Sequence, residues 1–164
     1  MDRIEFIRRP YRDGDRDSGL QIKINGSDLV DLVRAVENPF AYREGAASLA
    51  GAYAGLPPDE DTCPPSRHFL GEPSAASYRY DSKTAVLGCE CGEVGCWPLL
   101  CRIEVRGERV VWFEFEQPHR RATADREAWT YDELGPFEFD RRQYVAALEA
   151  LRPRETTTID EGRR

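Results

Sequence analysis

The sequence predicts an α+β fold in one domain, an antiparallel sheet of about four to six strands packed with two or three helices, and three observations predict it. At 164 residues the chain is the size of one domain and can bury a core without staples. Residues 84–119 carry three runs of alternating apolar and polar side chains, the pattern of a three-stranded antiparallel meander. Two further stretches, beginning at Asp28 and Asp140, repeat apolar residues at helical spacing. The domain is expected to span residues 1–153, followed by a polar, flexible tail over 154–164.

Taken in chain order, Ile4–Ile7 reads as a short strand and the charged, glycine-containing stretch Arg8–Ser18 as an exposed loop. Leu20-Gln21-Ile22-Lys23-Ile24 alternates as a half-buried strand does. Gly26-Ser27 breaks it, and Ser27 is placed to cap a helix over Asp28–Glu37. There Leu29, Leu32, Val33 and Val36 fall on one face, and Asn38-Pro39 is expected to end the helix, because a residue before proline avoids the α region. A second helix over Arg43–Tyr53 is allowed by composition, with Gly45 and Gly51 each opposing it by about 1 kcal/mol. Residues 57–76 contain five prolines and read as a long irregular loop.

Within the meander, placing Leu87 opposite Cys101 and Cys101 opposite Phe115 sorts the side chains into two sets. One face receives Leu87, Cys89, Cys91, Leu99, Cys101, Ile103, Val111, Phe113 and Phe115. The other receives Arg102, Glu104, Arg106, Glu114 and Glu116, with Trp112 among them and Arg102 opposite Glu114. A tryptophan on that polar face implies a covering helix, the C-terminal one, or a contact surface. Gly92 and Gly95 fall in the first turn and Gly107 in the second, where positive φ is needed. Phe137-Glu138-Phe139 reads as a short edge strand. Asp140 and Gln143 form a capping box for the last helix, with Phe139 and Tyr144 as its hydrophobic staple. Tyr144, Leu148 and Leu151 make the buried stripe, and Pro153 stops the helix.

Composition narrows function by exclusion. Net charge is −7 with acidic and basic residues interleaved, so a phosphate backbone finds no basic face and nucleic acid is not an expected ligand. No apolar run approaches the ~18 residues needed to cross a bilayer. Met1–Pro10 lacks the apolar core of a secretory signal, so the expected location is cytoplasmic. The 21 arginines against two lysines reflect composition bias rather than a binding surface. No P-loop, G-x-G-x-x-G turn or G-x-S-x-G elbow is present.

The chemically distinctive segment is Gly88-Cys89-Glu90-Cys91-Gly92-Glu93-Val94-Gly95-Cys96. Five cysteines in the chain leave at least one thiol unpaired or paired between chains, and in a reducing compartment clustered thiols point to a metal, a redox pair or simple burial. A metal site would use Cys89, Cys91 and Cys96, with His119 brought alongside by the meander. Zinc is the first expectation, since it favours tetrahedral thiolate and imidazole sets. The spacing is not that of a double C-x-x-C finger, and Trp97 stands between Cys91 and His119 in the expected register. Under the alternative of burial, cysteine acts as a small hydrophobe, and Cys101 is expected in the core. A Cys91–Cys96 disulfide across the turn is the third reading. A Cys63–His68 nucleophile pair in the proline-rich loop, a hard-metal site at Asp59-Glu60-Asp61 and paired carboxylates at Glu114 and Glu116 have simpler explanations as loop or surface residues.

Three stretches carry a resemblance: Cys89–Leu99, with its C-x-C-G-x-x-G-C-W-P-L pattern; Gln117-Pro118-His119-Arg120; and Leu134-Gly135-Pro136-Phe137-Glu138-Phe139-Asp140. The chain resembles in them a group of uncharacterised bacterial proteins, which implies a common fold and no activity. The function expected is therefore a non-catalytic cytoplasmic protein that binds a partner protein or small ligand, with a structural or metal-stabilised cysteine turn. The alternative is a small metal- or thiol-dependent enzyme using Cys89, Cys91, Cys96 and His119.

Overall fold

Alternation places the strands, and a one-residue defect then decides which side chains they bury. The computed structural model describes residues 1–153, so the tail expected over 154–164 lies outside the described residues. β1 (Ile4–Arg9), β2 (Gly19–Ile24) and β3 (Ser27–Asp28) form one antiparallel sheet, followed by helix α1 (Leu29–Arg43). The larger sheet takes β4 (Tyr53–Ala54), β5 (Arg79–Tyr80), β6 (Lys83–Cys89), β7 (Leu99–Arg106), β8 (Arg109–Glu116) and β9 (Phe137–Asp140). Its order is β4-β6-β7-β8-β9, with β5 also against β6. Helix α2 (Arg141–Glu149) follows, and one continuous apolar cluster joins both sheets and both helices into a single α+β domain.

The meander register departs from expectation at both junctions. Leu87 lies opposite Leu99 rather than Cys101, with an irregularity between Ala85 and Leu87. Between β7 and β8 the expected register holds at Leu100–Glu116, then slips by one to Arg102–Phe113 and Ile103–Trp112. The extra residue is on β8, where Glu114 takes φ 54°, the left-handed conformation that a β-bulge uses. The bulge turns Trp112 and Val110 inward beside Phe115, at 0%, 0% and 6% exposure. Phe113 is left on the outer face, under the guanidiniums of Arg102 and Arg106 at 5.1 and 4.8 Å. Trp112 is thus a core residue, and the C-terminal helix does cover it: its Nε1 donates to Tyr144 Oη at 3.0 Å.

The proline-rich stretch 57–76 is irregular as expected, yet it is not a surface excursion. A 3₁₀ turn at His68–Leu70 drives Phe69 between the sheets, 5.0 Å from the ring of Phe6 and stacked on Trp112 at 6.4 Å and 8°. Tyr144 of α2 donates to the Phe69 carbonyl. Burying a phenylalanine in this way contributes about 2–3 kcal/mol and fixes the spacing of the two sheets.

Helix α1 begins one residue later than expected and ends six later. Asp28, not Ser27, caps it, with Oδ1 accepting from the Val30 N–H at 2.8 Å. The helix continues through Pro39 to Arg43, although an interior proline costs about 3 kcal/mol. Contacts on both sides of the proline offset that cost. Glu37 and Ala41 are fully buried, extending the stripe begun by Leu29 and Val33, and Glu44 beyond the helix accepts from Trp129 Nε1 at 2.7 Å. The second helix expected over Arg43–Tyr53 is absent: a 3₁₀ turn at Ala47–Leu49 leads to Gly51, whose φ of +68° no helix accommodates, and on to β4.

At α2 the cap is half of the expected box. Asp140 accepts from the Gln143 N–H at 3.0 Å, and Phe139 meets Tyr144 at 5.5 Å as the staple. The Gln143 side chain does not turn back to Asp140. Its Oε1 accepts from the Ile4 N–H at 3.1 Å and its Nε2 donates to the Ile4 carbonyl at 2.7 Å, so it pins β1 instead. Nor is β9 a bare edge, since Asp2 bridges it in parallel at Phe139.

Candidate cysteine site

Strand β6 ends at Cys89, and the chain leaves the sheet through a turn closed by the Gly92 N–H on the Cys89 carbonyl at 3.1 Å. Gly92 has φ +97°, which favours glycine there; Gly95 does not need positive φ. A 3₁₀ turn at Val94–Cys96 then folds back over the strand. Val94 lies so close to Gly88 that a Cβ there would stand 2.9 Å from its methyl group. The same glycine-rich composition that identifies the segment therefore permits its tight fold.

This fold gathers three thiols. Cys89 is half-buried at the strand end, while Cys91 and Cys96 are exposed on the turn. The Cys91 N–H donates to Cys89 Sγ at 3.5 Å, and Cys96 Sγ lies 3.5 Å from Glu93 Oε2. A backbone hydrogen bond from Glu93 first, and the Cys89 thiol next, draw the Cys91 thiol below its ordinary range. Burial raises Cys89, and the hydrogen bond with Cys91, followed by that with the Glu93 carboxylate, pushes Cys96 up to about 11. Of the three thiols, Cys91 is the one whose surroundings favour the thiolate.

Two placements differ from expectation. Cys91 is not on the core face, because β6 stops at Cys89 and the turn carries Cys91 outward. His119 does reach the turn, but through its backbone: His119 Nε2 hydrogen-bonds the Gly95 carbonyl at 3.0 Å, and the ring stacks on Trp97 at 6.0 Å and 17°. Among the described residues, no three Cys, His, Asp or Glu side chains stand already arranged as a metal cage. Cys101 is fully buried, as expected of a core cysteine.

The other candidates separate. Cys63 pairs with Arg8 Nη2 at 3.4 Å and contacts Thr62 Oγ1 at 3.9 Å, whereas His68 Nε2 hydrogen-bonds the Ala85 carbonyl at 2.8 Å. No thiol–imidazole hydrogen bond joins the two. Asp59 Oδ1 accepts from the Asp61 N–H at 2.9 Å, so the acidic run is a capped turn. Glu116 is bridged to Lys83 at 2.7 Å, and Glu114 lies 3.5 Å from Arg102.

One cluster has no counterpart in the expectations. Glu37 is 0% exposed, and its carboxylate accepts from the Gly51 N–H at 2.9 Å, Tyr53 Oη at 2.6 Å and Tyr131 Oη at 2.5 Å. Burial raises its pKa, against the opposing pull of those three donors. Gln117 Nε2 extends the network from Tyr53 to the Pro98 carbonyl at 3.0 Å, and Gln117 Oε1 accepts from the His119 N–H at 2.9 Å. The network thereby fixes the strand end that follows the cysteine turn and the segment bearing His119. The available signal was the position of Glu37, four residues after Val33 on the apolar stripe. Compared with known proteins, the chain matches no family model, no curated protein and no solved structure.

Proposed function

We propose that this chain is a non-catalytic cytoplasmic protein that binds a partner protein or small ligand, with its cysteine turn closed by a soft metal ion, zinc first among them. The observation that carries the reading is the meeting of three thiols on one short turn, one half-buried and two exposed. Zinc bonds thiolate sulfur at about 2.3 Å. Cys91 and Cys96 are exposed, and closing them on an ion held by Cys89 exchanges their contacts with Glu93 for bonds to the metal. The Cys91 N–H on Cys89 Sγ supplies the outer hydrogen bond that holds a ligating sulfur in orientation.

Other features agree with this reading. All five cysteines are unpaired, as thiols are in a reducing compartment. No helix among the described residues is long and apolar enough to cross a membrane. The net charge of −7 disfavours nucleic acid as the partner. An adjacent imidazole is one way of activating a thiol nucleophile, and His119 is hydrogen-bonded to the Gly95 carbonyl rather than to one of these sulfurs.

Metal analysis of untagged protein tests the proposal. The expected result is about one zinc per chain, absent from a Cys91→Ser/Cys96→Ser variant, with a lower melting temperature after chelation. Metal-free protein whose melting temperature responds to neither zinc nor chelator would overturn it.

A further inference from the structure

The geometry points to the Glu93 carboxylate as the fourth ligand of the cysteine turn and to His119 as the residue that positions the turn; this rests on the soft-metal reading above. Glu93 stands between Cys91 and Cys96 in the chain and touches the surroundings of both. Its carbonyl accepts from the Cys96 N–H at 3.1 Å and lies 3.9 Å from Cys91 Sγ, while its Oε2 lies 3.5 Å from Cys96 Sγ. No arginine, lysine or histidine within 4.0 Å pairs with the Glu93 carboxylate among the described residues, so no cation competes with an incoming metal. A carboxylate oxygen is an ordinary zinc ligand at about 2.0–2.2 Å, and the Glu93 side chain is exposed beside the Cys96 sulfur.

His119 is built for a different task. Its Nε2 holds the carbonyl of Gly95, the residue just before Cys96, and its ring lies flat against Trp97. To offer Nε2 to a metal it would have to release that carbonyl and give up the stack. Held where it is, it fixes the peptide that aims Cys96, and the assignment gives it that positioning role; ligation through Nδ1, which would keep the Gly95 bond, is the alternative that a band shift in the His119 variant would reveal.

Cobalt(II), titrated into the chelator-stripped full chain, separates these roles by spectrum. Wild-type protein is expected to give a sulfur-to-cobalt charge-transfer band and the intense d–d bands of a tetrahedral site. Glu93→Gln should shift the d–d bands, because an oxygen ligand is lost. His119→Gln should leave the band positions unchanged while lowering affinity roughly 10-fold. Both side chains are exposed, and unchanged far-UV circular dichroism confirms that each variant folds. A shift in the His119 variant with none in the Glu93 variant, or unshifted bands in both, overturns the assignment. Absence of the charge-transfer band from wild-type protein overturns the soft-metal reading itself, which is a distinct result.

Discussion

His68 is fully buried, with Nε2 on the Ala85 carbonyl and Nδ1 without a hydrogen-bond partner, and its ring centre lies 4.7 and 5.2 Å from those of Phe69 and Tyr78. Burial lowers its pKa from 6.5 to about 4, against a smaller upward pull from the Ala85 bond. The unfolded chain therefore binds a proton first as pH falls. The stabilisation is complete above the unfolded value of about 6.5 and is lost between there and about 4, on the order of 3 kcal/mol at full extent. Glu37 works in the opposite sense: its raised folded pKa favours the protonated group, so its share of stability declines as pH rises through that value. Urea unfolding of wild type and His68→Phe at pH 7.5 and 4.5 isolates the histidine. The variant should lose less stability on acidification, and an equal loss in both proteins would refute the assignment. At this scale the placing of Cys89, Cys91 and Cys96 around one turn was readable from three thiols among glycines, and so was the core position of Cys101. The direction of Cys91 was not, because extending β6 by two residues past Cys89 puts that side chain on the wrong side. The Gly95 contact of His119 depends on β8 ending at Glu116 and the chain turning at Gln117, which alternation does not encode.

At the level of elements, the bulge in β8 explains why the faces of the meander differ from their pattern. Alternation reports the facing of each strand over its regular part, and β7 follows it from Cys101 to Glu104. The inserted residue Glu114 resembles any exposed glutamate in a strand, so nothing local announces that Trp112 and Phe113 exchange sides. Left-handed φ at a residue with a side chain costs about 1–2 kcal/mol, and the Arg102 contact at 3.5 Å is partly exposed and weak. Glu114→Gly is accordingly expected to raise stability by roughly 0.5–1 kcal/mol, measured by chemical denaturation. A loss of more than that amount would mean that the Glu114 side chain matters beyond its backbone. Helix α1 teaches a similar lesson. Asn38-Pro39 is a sound stop signal locally, but buried Glu37 and Ala41, with Glu44 engaged beyond them, hold the helix across it.

Across the whole molecule, fold class and the longer strands followed from period and length, whereas the two-residue strands β3, β4 and β5 and the division into two sheets did not. The assembly of those sheets depends on Phe69, which a proline-rich loop delivers between Phe6 and Trp112, and on Tyr144, which ties the loop to α2. Residues in irregular segments have no periodicity to betray their burial. The bond between Gln143 and Ile4 has a consequence for the protein in crowded solution. A free sheet edge invites the strand of another copy, and natural proteins cover such edges. The amide of Gln143 occupies both backbone groups of Ile4 as a neighbouring strand would. Gln143→Ala should fold with a loss of about 1–3 kcal/mol and form larger species at high concentration in light scattering; a variant that stays monodisperse would refute the role. One glutamine side chain thus acts as a substitute strand, and colloidal solubility becomes a property of the same residue that was expected only to cap a helix.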